Sequence, residues 1–187
     1  MSEQLSGKRV AILATHGFEE SELAEPRRAL RDAGATVDIV SPESGSIKAW
    51  AGNDWGGSYP VDRPLTEAQE SDYDALVVPG GVMNPDTLRI NEAAIRFTRS
   101  FFKAEKPVAS ICHGPWVLIN AEVVKGRRMT SWPSVSLDLR NAGALWVDEE
   151  VVVDNGLITS RKPGDLQAFN AKLMEEIREG EHAGQHA

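Results

Sequence analysis

Pro107-Val108-Ala109-Ser110-Ile111-Cys112-His113-Gly114-Pro115-Trp116 carries the only cysteine of the 187-residue chain. Residues 107–111 are rich in apolar and β-branched character, which predicts a short buried strand. Gly114 and Pro115 break that pattern, and Trp116-Val117-Leu118-Ile119 resumes it as the opening of a helix. A side chain at such a corner projects from the carboxyl end of a sheet onto a helix amino terminus. The unpaired N–H groups and positive dipole end there favour anions, so the corner is expected to hold a thiol as thiolate. A free cysteine is often only a small buried hydrophobe. The strand-to-helix corner makes Cys112 the candidate nucleophile instead.

Outward from this corner, the chain alternates strands with helices. Residues 8–14 read as a buried strand and 22–33 as a helix with Leu23 and Leu30 on one face. Pro26 fits that helix only near its first turn or at a kink. Gly34 ends it, and residues 36–40 form a second strand, completing a βαβ unit. Residues 41–64 hold many glycines and prolines and predict loops, with a small hairpin at 47–50 returning near 58–61. Residues 75–78 form another buried strand, ending at Pro79-Gly80-Gly81. Asn91 is expected to cap a helix reaching Lys103. After the corner come a helix over 116–124, a strand over 127–131 and a helix over 135–141. Short strands at 145–147, 151–153 and 157–160 follow, the last two joined by the turn dipeptide Asn155-Gly156. Leu166, Phe169, Leu173 and Ile177 stripe a final helix.

Mostly unpatterned strands alternating with helices predict an α/β fold: a doubly wound, mostly parallel sheet with helices on both faces. The chain reads as a single domain over 1–187, with 1–7 and about 180–187 as frayed tails. In such sheets the ligand site lies beyond the carboxyl ends of the strands. Thr15-His16-Gly17, Pro79-Gly80-Gly81 and Cys112-His113-Gly114 all fall there.

Composition removes several classes of function. A net charge of −8, from 20 Lys and Arg against 28 Asp and Glu, argues against a nucleic-acid partner, whose affinity rests on neutralised phosphates. No stretch approaches the roughly 20 apolar residues of a membrane span, so no membrane partner is expected. The amino terminus lacks the apolar core of a secretory signal. One cysteine permits no intrachain disulfide, which suits a reducing, cytoplasmic compartment.

Further side chains complete a reaction centre around Cys112. His113 can take or return a proton, although adjacent side chains do not ordinarily face one another and an orienting partner is needed. Glu19, Glu20, Glu22 and Glu25 crowd the first corner. Any one of them, desolvated beside the thiolate, would have a raised pKa and donate a hydrogen bond. Gly80-Gly81 lets the backbone approach a ligand closely, so an N–H there and that of His113 form a candidate oxyanion hole. His16 and Trp132 are candidate pocket residues. No phosphate-loop pattern and no clustered metal spacing occur, so neither cofactor nor metal is expected.

Taken together, Phe18-Glu19-Glu20-Ser21-Glu22-Leu23, the segment from Asp74 to Gly81, Ala109-Ser110-Ile111-Cys112-His113-Gly114-Pro115 and Asn141-Ala142-Gly143-Ala144 resemble the ThiJ/PfpI family of intracellular cysteine hydrolases. The histidine after the cysteine is most similar to the PfpI-like branch. The resemblance implies a flavodoxin-like sandwich and a homodimer or hexamer. It implies Cys112 as nucleophile, Glu22 as the acid bonded to its sulfur, His113 as base, and the Gly81 and His113 amides as oxyanion hole. Asp86 stands where that branch carries a glutamate that orients the histidine of a neighbouring subunit. The implied activity is that of a stress-protective hydrolase whose thiolate attacks an electrophilic carbonyl. Its substrate would be a peptide or acyl bond, a glyoxal or a glycated protein. Glyoxalase or deglycase chemistry as the main activity is one alternative. A redox sensor or chaperone-like protein without turnover is another, since such a thiol oxidises readily.

Overall fold

Apolar residues at every position of a short strand demand cover on both faces, and the chain supplies it. The computed structural model describes residues 4–185. In chain order it forms β1 (Arg9–Leu13), α1 (Glu20–Asp32), β2 (Thr36–Ser41), β3 (Ser46–Ala51), β4 (Asp54–Pro60), β5 (Arg63–Pro64) and β6 (Ala75–Val78). Then follow α2 (Met83–Leu88), α3 (Glu92–Lys103), β7 (Val108–Ile111), α4 (Pro115–Asn120), β8 (Arg128–Met129) and α5 (Ser136–Asn141). β9 (Leu145–Trp146), β10 (Val151–Asp154), β11 (Leu157–Ser160) and α6 (Leu166–Glu179) complete the chain.

The main sheet runs β10-β11-β7-β6-β1-β2-β5. Every pair in it is parallel except β10 with β11. Alternate side chains of β1 divide between two cores. Val10 and Ile12 pack with Phe18, Leu23, Phe169 and Leu173 beneath α1 and α6. Ala11 and Leu13 pack with Phe101, Phe102, Leu118 and Leu139 beneath α3, α4 and α5. The expected doubly wound, flavodoxin-like sandwich is therefore the architecture observed.

The local departures have physical causes. The hairpin of β3 and β4 is longer than expected, pairing from Ser46 with Pro60 to Ala51 with Asp54 around a bulge. Residues 127–131 supply only the two-residue β8, which pairs with β9 in a separate small sheet. α2 was not foreseen, because Pro85 reads as a helix breaker; in the first turn its missing N–H costs nothing. Pro26, expected in a first turn or at a kink, lies deeper inside α1 and is buried.

The frayed tails are a correction. Leu5 is buried among the α1-side core, and its N–H donates to the Ala33 carbonyl at 2.8 Å. At the other end the His182 N–H donates to the Glu105 carbonyl at 2.8 Å and the Gly184 N–H to Glu105 Oε1 at 3.0 Å. Gln185 is fully buried. Polar composition suggested fraying, but hydrogen bonds to Glu105, just past the end of α3, and the pairing of His182 with Glu176 dock the segment. Residues 1–3 and 186–187 of the expected tails lie outside the described residues. Among the described residues no helix is long and apolar enough to cross a membrane.

Candidate active site

The strand order reverses direction between β1 and β6, and a crevice opens there at their carboxyl ends. Cys112 follows β7 directly and adopts φ +63°. That left-handed conformation is costly for a residue with a Cβ and persists only where the surroundings enforce it. Both backbone groups of Cys112 are tied: its N–H donates to the Ser160 carbonyl at 3.1 Å, and its carbonyl accepts the Trp132 N–H at 2.9 Å.

The same turn brings two adjacent side chains together, against the usual rule for neighbours. Cys112 Sγ lies 3.2 Å from His113 Nδ1. His113 Nε2 lies 3.4 Å from Ser134 Oγ, a partner that sequence reasoning did not supply. The imidazole stacks on Trp132 at 6.0 Å and meets Trp116 edge-on at 5.0 Å. Burial lowers its pKa below the ordinary histidine value, so the ring is neutral near pH 7.

Of the four candidate glutamates, the fold selects Glu22, which is fully buried in the first turn of α1. Glu20 instead meets the Tyr59 hydroxyl and the Gly57 N–H, and Glu25 pairs with Arg28. Glu22 Oε2 accepts the Gly80 N–H at 2.8 Å. Its Oε1 is buried with no hydrogen-bond partner among the described residues. Burial, only partly offset by the Gly80 N–H, pushes the Glu22 carboxyl up to about 8. The group is therefore protonated at neutral pH.

Cys112 is only 7% exposed, and its thiol is held above the ordinary cysteine range instead of as the thiolate expected at this corner. Burial pushes the thiol up, and a charged Glu22 would push it further, while the Gly81 and His113 amides bond the sulfur and pull it down. α4 is a short helix of six residues. Burial is the largest influence on the thiol, and the charge state of Glu22 is the next. A protonated Glu22 removes the repulsion and turns the carboxyl into a third donor towards sulfur.

Gly80 is required by this crowding. A Cβ there would stand 2.5 Å from Glu22 Oε2 and 2.6 Å from Cys112 Cβ. Beyond the thiol lies a cavity of about 370 Å³, bounded by Glu19, Trp50, Val82, Trp132 and Pro163 as well as Glu22 and His113. Trp132 therefore stands where expected. His16 does not: after β1 the chain turns towards β3, where His16 Nδ1 accepts the Lys48 N–H at 3.0 Å and the ring lies half-exposed, away from the cavity. Asp86 is exposed in the first turn of α2, and its side chain makes no hydrogen bond or ion pair among the described residues.

Asn84 was missed altogether. It is fully buried, accepts the Thr15 N–H at 2.7 Å, and donates to the Pro79 and Gly80 carbonyls at 3.0 and 3.2 Å. An asparagine soon after Gly-Gly reads as a turn residue, and nothing local distinguishes it. Among the described residues, one group has metal-ligand spacing: Glu176, Glu179 and His182 at the end of α6. It stands apart from the cavity, and His182 Nε2 pairs with Glu176 Oε2 at 3.1 Å.

Fold and site together define an α/β protein with a cysteine elbow beside the switch point of its sheet, set between a buried carboxyl and an imidazole. The chain belongs to the DJ-1/PfpI family, whose profile matches residues 8–176. It is 42% identical over 169 residues to general stress protein 18 of Bacillus subtilis, covering 90% of this chain and 96% of that protein. It is 41% identical over 170 residues to deglycase PfpI of Pyrococcus furiosus, covering 91% and 99%. The crystal structure of Drosophila melanogaster DJ-1beta superposes with a TM-score of 0.83 at 29% identity, covering 95% of this chain and 91% of that one.

Proposed function

We propose that the protein is a stress-protective, cysteine-dependent hydrolase of the PfpI-like type that acts on small electrophilic carbonyls and glycation adducts. The observation that carries this reading is Cys112, held at its strained elbow between a buried protonatable Glu22 and His113 and facing a bounded cavity. A volume of about 370 Å³ suits a small molecule or a single modified side chain better than a stretch of polypeptide. The relatives named for stress and deglycase activity support the same direction.

In this mechanism the Glu22 O–H donates to the sulfur as the thiolate forms a bond to the carbonyl carbon. The C=O π pair moves onto oxygen, and the Gly81 and His113 amides receive the alkoxide. His113 passes the thiol proton to it, giving a hemithioacetal. An acyl substrate expels its amine with that proton, and water then cleaves the thioester. A dicarbonyl aldehyde instead shifts its carbon-bound hydrogen to the neighbouring carbonyl carbon, and water releases a hydroxy acid. Asp86, without a side-chain partner among the described residues, is available to orient His113 of a second copy in a homodimer or hexamer. A reducing, cytoplasmic compartment suits a lone nucleophilic thiol.

The test compares wild type with Cys112→Ala on methylglyoxal, a glycated amino acid and a labelled peptide. Turnover of the first two by wild type alone is expected. Equal turnover by both proteins on every substrate rejects the reading.

A further inference from the structure

Gly80 and Gly81 share one trans peptide, so the Gly80 carbonyl and the Gly81 N–H point in opposite directions. Neither residue has a Cβ, and Gly81 sits at φ +76°, so the glycines themselves do little to resist a flip of this unit. A flip would aim a carbonyl at the sulfur in place of a donor. Something outside the turn must choose between the two.

The Gly80 carbonyl accepts Asn84 Nδ2 at 3.2 Å, with a longer contact from the Glu19 N–H at 3.4 Å. The second Asn84 amide hydrogen goes to the Pro79 carbonyl at 3.0 Å, and its oxygen accepts the Thr15 N–H at 2.7 Å. All three bonds are buried, and they join the ends of β1 and β6 across the switch point. On the far side of the same peptide, Gly81 lines the cavity together with Cys112, and its N–H draws the thiol down.

We propose that Asn84 is a positioning residue, which locks the Gly80–Gly81 peptide with its N–H towards Cys112 and so assembles one half of the oxyanion hole. Its donors are what matter: an acceptor at this position would hold Thr15 but repel two carbonyls. The inference rests on the proposed thiol chemistry for its rate effect, while its effect on the thiol itself is independent of turnover.

Asn84→Asp tests it with little change of shape. The carboxylate keeps the acceptor and loses both donors. Two quantities are measured from pH 5 to 9: kcat and KM on methylglyoxal, and the rate of Cys112 alkylation by iodoacetamide. The expected kcat falls about 100-fold, the size of losing one oxyanion donor, with KM within about threefold and the alkylation midpoint moved to higher pH. Towards pH 5 the substituted carboxyl takes up a proton and can donate again, so the ratio to wild type narrows. Asn84→Ala, which removes both donors without a charge, replaces it if the first variant does not fold, and lacks the recovery at low pH. A folded variant with wild-type kcat and an unmoved alkylation midpoint, or a loss confined to KM, overturns the proposal. If wild type does not turn over methylglyoxal, the functional reading has failed, and the alkylation profile alone decides the role of Asn84.

Discussion

Glu22 turns one carboxyl oxygen to the Gly80 N–H at 2.8 Å and leaves the other buried without a hydrogen-bond partner among the described residues, with the carboxyl set against Cys112. An orphaned acceptor in a dry site is costly, and a proton on that oxygen resolves the cost. The carboxyl then becomes a donor to sulfur. Acid and nucleophile are thus one coupled unit whose charge is set by burial.

The coupling has a signature in stability. Folded Glu22 keeps its proton to about pH 8, whereas an unfolded glutamate releases it near pH 4.3. Between those values the native state binds more protons, so stability falls as pH rises, by at most about 1.4 kcal/mol per pH unit. Glu22→Gln lacks this slope. Thermal unfolding is expected to show the variant gaining on wild type from pH 5 to pH 8, and parallel curves would contradict the buried protonated acid.

Thiol reactivity carries the second signature. Above pH 8 the Glu22 carboxylate repels a neighbouring thiolate, so alkylation of wild-type Cys112 should rise less steeply with pH than that of a free cysteine. Glu22→Gln never acquires the charge. Its alkylation should match wild type within about threefold at pH 6 and exceed it about tenfold at pH 9.5, roughly one pKa unit. Iodoacetamide kinetics followed by mass spectrometry measure both.

Gly80→Ala is expected to damage the site out of proportion to its size. The new methyl meets Glu22 Oε2, Cys112 Cβ and the Ile111 carbonyl at 2.5 to 2.8 Å. Overpacking of this kind costs about 1–3 kcal/mol. Because the acid and the thiol must separate, activity should fall at least 100-fold, as for loss of an oxyanion donor. A folded Gly80→Ala protein with wild-type kcat would show that the tight approach is incidental.

Deleting residues 180–187 probes the docked carboxyl segment. The hydrogen bonds from His182 and Gly184 to Glu105 disappear, at about 1 kcal/mol each. For a chain of this size the melting temperature should drop by roughly 4–8 °C. Turnover at 25 °C should persist, since the segment does not border the cavity. An unchanged melting temperature would restore the frayed reading.

Much of the fold was legible because burial on two faces writes itself into short uninterrupted apolar runs. Residues 75–78 and 108–111 could be read as central strands without any knowledge of their neighbours. Short elements escaped where local signals conflicted: Pro85 hid α2, and β8 gains its pairing only from β9, distant in sequence. Within the site, Cys112 and the glycine turn announced themselves as breaks in pattern. His16, expected to line the pocket, follows a backbone that turns towards β3. Asn84 and Ser134 gave no sign.

From the amino-acid order alone came the layered α/β architecture, the position of the thiol at a strand end and the short roster of acids able to serve it, because strand burial, helix stripes and turn residues are properties of neighbouring positions. Which acid meets the sulfur, which way the imidazole turns and which amide faces the reacting atom were settled by packing. Glu22 lies 58 residues from Gly80 in sequence and Asn84 lies 69 from Thr15. Contacts at that separation exist only once β1, β6 and β7 have been laid side by side, and the desolvation that keeps Glu22 protonated exists only inside the sheet and helices so assembled.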